Sequence, residues 1–340
     1  MNIVLGPLPD NRRQLCDLKH HNTLAFPKML ARHPLRNPGA FAASSRCRCA
    51  RTSVVVMASS KPKFQLMVNS CTGKMGQAVA EAALRANIDL VPYTLCAPMD
   101  IEKKTHVTVQ GVQLELVPPA VRDVAIADIK ARYPNLIMVD YTLPDAIHDM
   151  VDFYVRHNTP FVMGTTGGDR ARILSEVAAA RTYAVIAPNM GKQIVAFQAM
   201  MDMMAKNFPG AFSGYRLRVV ESHQSTKKDT SGTAKAVVQS FVEMGIKFDV
   251  SEIELVREPK EQMEVMKVPE SALNGHAYHT YQLVSGDGTV MFEFQHNVIG
   301  RTTYAEGTVD ATLFLAQRIA EKSETTLFNM IDVLRAGAMR

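Results

Sequence analysis

The chain reads as α/β, with a doubly wound parallel sheet followed by a second α+β domain on an open mixed sheet. Three observations carry this expectation. From Lys63 to Met190, short apolar runs alternate with helix-forming amphipathic segments, the pattern of parallel strands joined by crossover helices. The first run, MVNSCTGKMGQAV, passes through a Gly-bearing turn straight into a helix. After Met190 the alternation gives way to strand-like segments separated by polar loops.

In order, KFQLMVN predicts a strand, KMGQAVAEAALRA a helix and DLVPYTLCA a second strand, together one βαβ unit. THVTVQGVQLELV alternates on both sides of Gln110-Gly111 and predicts a small hairpin. NLIMVDYT, PFVMGTTG and YAVIAPNM predict further strands, with PDAIHDMVDFYVRHN and RARILSEVAAA as the helices between them. In such a sheet ligands gather at the carboxyl ends of the strands. The loops to watch are therefore 70–76, 164–167 and 187–190. Beyond them, KQIVAFQAMMDMMAKNF predicts a helix whose methionines fill core. YRLRVVESHQ predicts a strand running into the loop STKKDTSGTA, and KAVVQSFVEMG the helix after it. SEIELVRE, HAYHTYQLVS and TVMFEFQHNVIG complete the strands, the last two joined across Gly286-Asp287-Gly288. Helices from about Gly307 to Ala336 end the chain.

The 340 residues are enough for two ordinary domains, and 47% of them are hydrophobic. No apolar run approaches the roughly 20 residues of a membrane span, so no membrane is expected as partner. The net charge of +5 is concentrated at one end. Residues 1–57 hold nine Lys or Arg against Asp10 and Asp17, and the remainder carries 29 basic and 31 acidic residues. This acidic-poor segment, containing FAASSRCRCARTSVVVMASS, has the marks of an organelle transit peptide, to be cut within roughly residues 45–60. A nucleic-acid-binding arm is the competing reading, but no RNA- or DNA-binding motif follows it. Of five cysteines, only Cys71 and Cys96 lie beyond the leader, with no metal-ligand spacing. No metal is expected, and a reducing compartment fits.

Ser70, Gly73 and Gly76 hold the spacing of a GxxGxxG dinucleotide loop, with serine in the first place. Such a turn presents helix N-terminal amides to a pyrophosphate, and marks the sheet as Rossmann-type. Serine there needs a negative φ or incurs a modest steric cost; its hydroxyl offers a phosphate contact. Leu95-Cys96-Ala97, at the end of the second strand, supplies no carboxylate for the adenosine ribose, and Lys74 is the nearest cation. NADPH is thus the expected cofactor, with NADH as the alternative. The richest polar segment is ESHQSTKKDTSGTAKAV, Glu221 to Val237. Ser231, Gly232 and Thr233 open a helix able to bind an anion, and His223 and Lys227 are proton donors beside it. A carboxylate-bearing small molecule suits this loop. Helix capping by Asp229 or Ser231 is expected as well.

The set GKMG (Gly73–Gly76), DYTLP, GTTG, APNM and the H-x-x-x-K-x-D-x-SGT loop resembles the dihydrodipicolinate reductase family, most of all its plant, plastid-targeted branch. QHNVIGRTTYAEGTV adds to the likeness, which runs from about Lys63 to the C-terminus. The resemblance implies NAD(P)H-dependent reduction of 4-hydroxy-tetrahydrodipicolinate to tetrahydrodipicolinate, on the diaminopimelate route to lysine, in the plastid. It implies that Ser70, Cys71, Thr72, Gly73, Lys74 and Met75, then Gly164, Thr165 and Thr166, then Ala187, Pro188, Asn189 and Met190, hold the nicotinamide cofactor. His223 would be the proton donor and acceptor and Lys227 a second donor, with Gly232 and Thr233 on a substrate carboxylate beside Ser231 and Gln224. It further implies a dinucleotide-binding domain of residues 61–190 completed by 305–340, a substrate-binding and oligomerisation domain of 191–304, and a homo-oligomer. The chain departs from bacterial members in three places. Gln224 stands where they carry a second histidine, Ser70 replaces the first loop glycine, and a proline before SGT is missing. A reductase of another small dicarboxylate imine, or a non-catalytic NADPH sensor, remains the alternative.

Overall fold

The computed structural model describes residues 63–337, all within one compact unit. The transit segment expected over 1–57 lies outside the described residues.

Strand β1 (Gln65–Val68) leads into helix α1 (Lys74–Arg85), then β2 (Asp89–Leu90), β3 (Tyr93–Leu95) and the short α2 (Pro98–Ile101). Hairpin β4 (His106–Val109) and β5 (Val112–Val117) precedes α3 (Arg122–Arg132), β6 (Leu136–Asp140), α4 (Ile147–Arg156), β7 (Phe161–Met163), α5 (Arg170–Ala180) and β8 (Ala184–Ile186). Next come α6 (Lys192–Asn207), β9 (Arg216–His223), α7 (Gly232–Glu243), β10 (Glu254–Val256), α8 (Pro259–Glu264), β11 (His276–Val284) and β12 (Met291–Ile299). The chain closes with α9 (Thr302–Ala320), β13 (Leu327–Phe328) and α10 (Met330–Arg335).

The first sheet is parallel throughout, in the order β13-β8-β7-β6-β1-β2. Its inner strands β1, β6, β7 and β8 are buried on both faces, which is why they read as unbroken apolar runs. Leu66 and Val68 of β1 face one core with Val79, Ala80 and Ala83 of α1 and Val309 and Leu315 of α9. Met67, one residue out of phase, faces the other core with Ile126 of α3, Phe153 of α4 and Ile173 of α5. Strand order reverses between β1 and β6, and that reversal opens a crevice at their carboxyl ends.

Three expectations need correction here. DLVPYTLCA is two strands: β2 joins the first sheet, while β3, beyond Pro92, pairs with β5 in a separate three-stranded sheet. Proline has no N–H to continue a ladder. The terminal segment starts at Thr302 and includes β13, which extends the first sheet beside β8. Helix α3 went unforeseen; its face toward the core is carried by Ile126 and Ile129. The expected hairpin is present, turning at Gln110 (φ 44°) and Gly111 (φ 84°).

The second sheet is mixed, in the order β10-β9-β11-β12, with only β10 and β9 parallel. One face packs on α6 and α7 through Met201, Val237, Phe241, Val219, Tyr281 and Leu283. The methionines of α6 divide: Met201 is core, whereas Met200 and Met203 are exposed.

Candidate active site

The Gly-bearing turn is built by steric fit. Ser70 adopts a left-handed φ of 59°, so serine occupies the first position at a cost of about 1 kcal/mol. Its carbonyl accepts the Gly73 N–H (2.9 Å), closing the turn. Gly76 is compulsory, because a Cβ there would lie 2.6 Å from the Ser70 carbonyl carbon and 2.9 Å from Cys71 N. Gly73 is less constrained: a Cβ would meet Ser70 O at 3.4 Å, an ordinary contact. The first amides of α1 have no intrahelical acceptor, and Gly73, the N-cap before them, lines the crevice. Cys71 is turned away, its N–H on Thr94 Oγ1 (3.2 Å) and its thiol on Val68 O (3.2 Å). Burial raises the Cys71 thiol to about 12; burial, then Asp100, raise Cys96 to about 11. Neither is a nucleophile at neutral pH.

The crevice at the β1/β6 switch point has a volume of about 420 Å³ and is lined by Ser70, Thr72, Gly73, Cys96, Asp100, Arg122, Tyr141 and Thr142, among others. Its rim is tied together by a buried chain in which Asn69 Nδ2 donates to Tyr154 OH (2.8 Å) and Tyr154 OH to Asp140 Oδ2 (2.6 Å). Burial raises the Asp140 carboxyl above its ordinary range, against hydrogen bonds from Tyr154, Thr142 N–H and Thr165. Thr165 is thereby committed to the scaffold, its hydroxyl donating to Asp140 Oδ1 (3.0 Å). Gly164 leaves room for the Tyr141 ring, whose Cε1 would lie 2.5 Å from any Cβ. Thr166 and Pro188 are exposed, and Ala187 and Met190 are buried.

Asp100 escaped the sequence reading. It lies four residues after Cys96, and α2 folds it back into the crevice, where Oδ2 accepts the Thr72 hydroxyl (2.9 Å) and the Ala97 N–H (3.2 Å). A carboxylate therefore does stand near the end of the second strand segment. Lys74 is exposed at the start of α1.

His223 ends β9, and Gln224 and Lys227 follow in the loop. A cavity of about 280 Å³ brings these three together with Met75 of α1 and with His276, Arg301 and Tyr304. Met75, just past the Gly-bearing turn, and the candidate proton donors thus share one space. Arg301 and Tyr304, from the segment entering α9, are further site residues that sequence reasoning did not single out; their only signal was their place in QHNVIGRTTYAEGTV. Lys227 Nζ is paired with exposed Asp229 (2.6 Å), which lowers the Asp229 carboxyl. Asp229 therefore serves Lys227 and makes no cap. Ser231 takes the N-cap position of α7 but forms no capping bond from its side chain. Its N–H donates to Glu221 Oε2 (3.0 Å), so the amides left for an anion are those of Gly232 and Thr233. Asn189 Nδ2 donates to Thr233 Oγ1 (3.4 Å), one direct bond between two of the predicted ligand loops. A cavity of about 400 Å³ between α6, α7 and α10 borders Ala187, Pro188 and Asn189 but contains neither His223 nor Lys227, so the donors do not converge there.

Glu221, His223 and His279 bring ligating atoms within 4.8 Å of one another. Arg257 Nη2 already donates to Glu221 Oε1 at 2.6 Å. This carboxylate is thus already paired with a guanidinium.

Residues 64–190 match the family model described as dihydrodipicolinate reductase, N-terminus, and residues 193–334 that described as dihydrodipicolinate reductase, C-terminus. The chain is 52% identical over 277 residues to 4-hydroxy-tetrahydrodipicolinate reductase 2, chloroplastic, of Arabidopsis thaliana, covering 82% of this chain and 79% of the relative. A probable chloroplastic counterpart from Oryza sativa subsp. japonica is 51% identical over 280 residues, covering 82% and 81%. A reductase of the same name from Janthinobacterium sp. is 26% identical over 280 residues, covering 80% and 98%. Among solved structures, a dipicolinate-bound dihydrodipicolinate reductase from Paenisporosarcina sp. TG-14 shares the fold, with a TM-score of 0.52 at 16% identity over 78% of this chain and 97% of that one. Two family models spanning nearly every described residue, and plant relatives at half identity, show that the chain belongs to the dihydrodipicolinate reductase family.

Proposed function

We propose that the chain reduces 4-hydroxy-tetrahydrodipicolinate to tetrahydrodipicolinate at the expense of NAD(P)H, a step of diaminopimelate and lysine biosynthesis in the chloroplast. The observation that carries this reading is the shared cavity, in which Met75 of the dinucleotide loop meets His223, Gln224 and Lys227. Relatives at half identity bear that activity and the word chloroplastic in their names, and the acidic-poor N-terminal segment suits import. No helix among the described residues is long and apolar enough to cross a membrane.

The crevice fits a dinucleotide. The free amides of α1, the Ser70 hydroxyl and the close approach allowed by Gly76 suit a pyrophosphate, and Asp100 lies within reach of a ribose. When bound, the reduced nicotinamide supplies the hydride. Everything else falls to the protein. Gly232 and Thr233 amides, Gln224 and Arg301 hold the substrate carboxylates; Arg301 brings the positive charge that Gln224 lacks. His223, with Nδ1 toward Glu221, presents Nε2 to the substrate and delivers a proton there. Lys227, released from its exposed pairing with Asp229, stabilises developing negative charge as a second donor. The Asn189–Thr233 bond couples closure of one loop to the other and keeps both ligands at reacting distance.

NADPH is the preferred cofactor in this reading and NADH is accepted. Asp100 has Oδ2 engaged by Thr72 and Ala97, so its hold on the ribose hydroxyls is left to Oδ1 and does not impose strict NADH use. The domain division of 61–190 with 305–340 against 191–304 is supported by the β13–β8 pairing and by α9 packing against α1. A homo-oligomer is supported by exposed Met291, Phe292 and Ile299 on the edge strand β12.

The test is NADPH and NADH oxidation by a chain starting near residue 59, with substrate made in place from pyruvate and aspartate semialdehyde by dihydrodipicolinate synthase. Synthase-dependent oxidation supports the reading. Tight NADPH binding without oxidation would turn it towards another imine or a sensor. His223→Gln and Lys227→Ala should lower turnover far more than cofactor affinity; an equal loss of both would remove their assigned roles.

A further inference from the structure

We infer that Glu221 is the positioning residue of this site, one buried carboxylate that serves as counter-charge to His223 and anchors the loop carrying Lys227 and the anion-binding turn. The inference rests on the function proposed above.

Glu221 lies on β9, two residues before His223, and its side chain is fully buried. Oε1 accepts from Arg257 Nη2 (2.6 Å) and faces His223 Nδ1 at 3.5 Å. Oε2 accepts the Ser231 N–H (3.0 Å) and faces His279 Nε2 at 3.8 Å. At 3.5 Å and without hydrogen-bond alignment, the His223 contact acts mainly through charge, and it leaves Nε2 toward the cavity. Arg257 extends the hold along the loop: Nε donates to Lys227 O (2.7 Å) and Nη2 to Asp229 O (3.5 Å). Gln262 Nε2 fixes the other side of the strand end through His223 O (2.6 Å). One ion pair thus sets the orientation of His223, the path of residues 227–229 and the start of α7.

The groups around His223 leave the counter-charge role to Glu221. The His279 ring lies edge-on to it at 5.0 Å, and His296 stacks on His279 at 4.6 Å. Burial, then His296 and His223, hold His279 well below the ordinary histidine range; burial, then His223, bring His296 to about 4. Both are neutral at physiological pH. His276 is neutral too, lowered chiefly by burial; its Nδ1 donates to Ala272 O (3.0 Å), which leaves Nε2 to accept the Ser222 hydroxyl (2.8 Å). The remaining charges are Arg257, Lys227 with Asp229, and Arg301, while Tyr304 faces the cavity uncharged. Glu221 is the one anion in ion-pair range of His223 among the described residues. Although burial alone would push its carboxyl up, His223, Arg257 and the Ser231 N–H bring it to about 2, so it stays ionised throughout the working range.

The variant is Glu221→Gln, which retains an oxygen for Ser231 N–H and removes the charge, compared with Glu221→Asp, which retains the charge. In E221Q the basic limb of the kcat–pH profile should move about one unit towards acid, because an opposite charge at this range favours the protonated ring. At pH 8 kcat should fall about tenfold, with KM within about threefold. E221D should keep the wild-type limb. A proton NMR titration of the His223 ring in substrate-free protein should show the same one-unit displacement in E221Q. An unmoved limb together with an unmoved ring titration overturns the inference. Wild-type protein that does not turn over refutes the proposed function, while the ring titration still tests Glu221. If E221Q does not fold with Arg257 unpaired, E221Q/R257Q removes both charges and takes its place.

Discussion

Gly76→Ala tests the dinucleotide loop at its tightest point. The new methyl would lie 2.6 Å from the Ser70 carbonyl carbon, whereas non-bonded carbons settle at roughly 3.5 Å. Because both neighbours are backbone, relief requires α1 to move about 1 Å from the turn. Overpacking of this kind costs about 1–3 kcal/mol, and the better helix propensity of alanine offsets up to about 1 kcal/mol. With the full offset the net loss of stability is about 0–2 kcal/mol, at most a modest fall in melting temperature. The effect on cofactor is larger. A 1 Å displacement takes an amide at roughly 2.9 Å from a phosphate oxygen beyond hydrogen-bond reach, and each such charge-assisted bond contributes about 1.5–3 kcal/mol. The dissociation constants for NADPH and NADH should both rise about 10- to 100-fold, as measured by fluorescence titration or calorimetry. Gly73→Ala is the internal control, since its methyl meets Ser70 O at 3.4 Å. It should cost only about 0.5 kcal/mol as a poorer cap, yet still weaken cofactor if the pyrophosphate lies against residue 73. G76A binding both nucleotides within threefold of wild type would refute the placement of the cofactor on α1.

Ser70→Gly should leave stability within about 0.5 kcal/mol, since relief of the left-handed φ and added unfolded-state entropy nearly cancel; weaker NADPH binding would then report the hydroxyl alone. Asp100→Asn should raise the ratio of kcat/KM with NADPH to that with NADH roughly tenfold, by removing a negative charge from the crevice, and an unchanged ratio would place the ribose elsewhere. For Glu221, a folded-state value of about 2 lies below its ordinary 4.5, so its stabilisation is complete above pH 4.5 and is lost as pH falls through 2. That amounts to about 3 kcal/mol between those limits. Urea titrations at pH 5 and pH 2.5 should show this slope in wild type and a flatter one in E221Q/R257Q; equal slopes would contradict it.

Periodicity made most of the fold legible. Unbroken apolar runs such as QLMV and LIMVD are what parallel strands require when both faces are covered, and they appear as β1 and β6. Short elements escaped because two or three residues carry no period: β13 is recognisable only from its pairing with β8, and the division of β2 from β3 only from which sheet each joins. Helix α3 was missed because its apolar stripe is confined to a few residues among charged ones.

The site divides in the same way. The loops 70–76, 164–167 and 187–190 and the pair His223 and Lys227 could be named from residue types at fixed local spacing, because a turn and a helix N-terminus are local structures. Asp100 required α2 to turn back on Thr72, and the work of Glu221 required Arg257, Ser231 and His279 to converge from distant segments. By itself the sequence determined the alternation of elements and the Gly-bearing turn, and it named His223 and Lys227 as the candidate proton donors. Only the tertiary structure decided which carboxylates face them and which amides remain free, since those depend on packing between segments far apart in the chain, and local pattern carries no record of it.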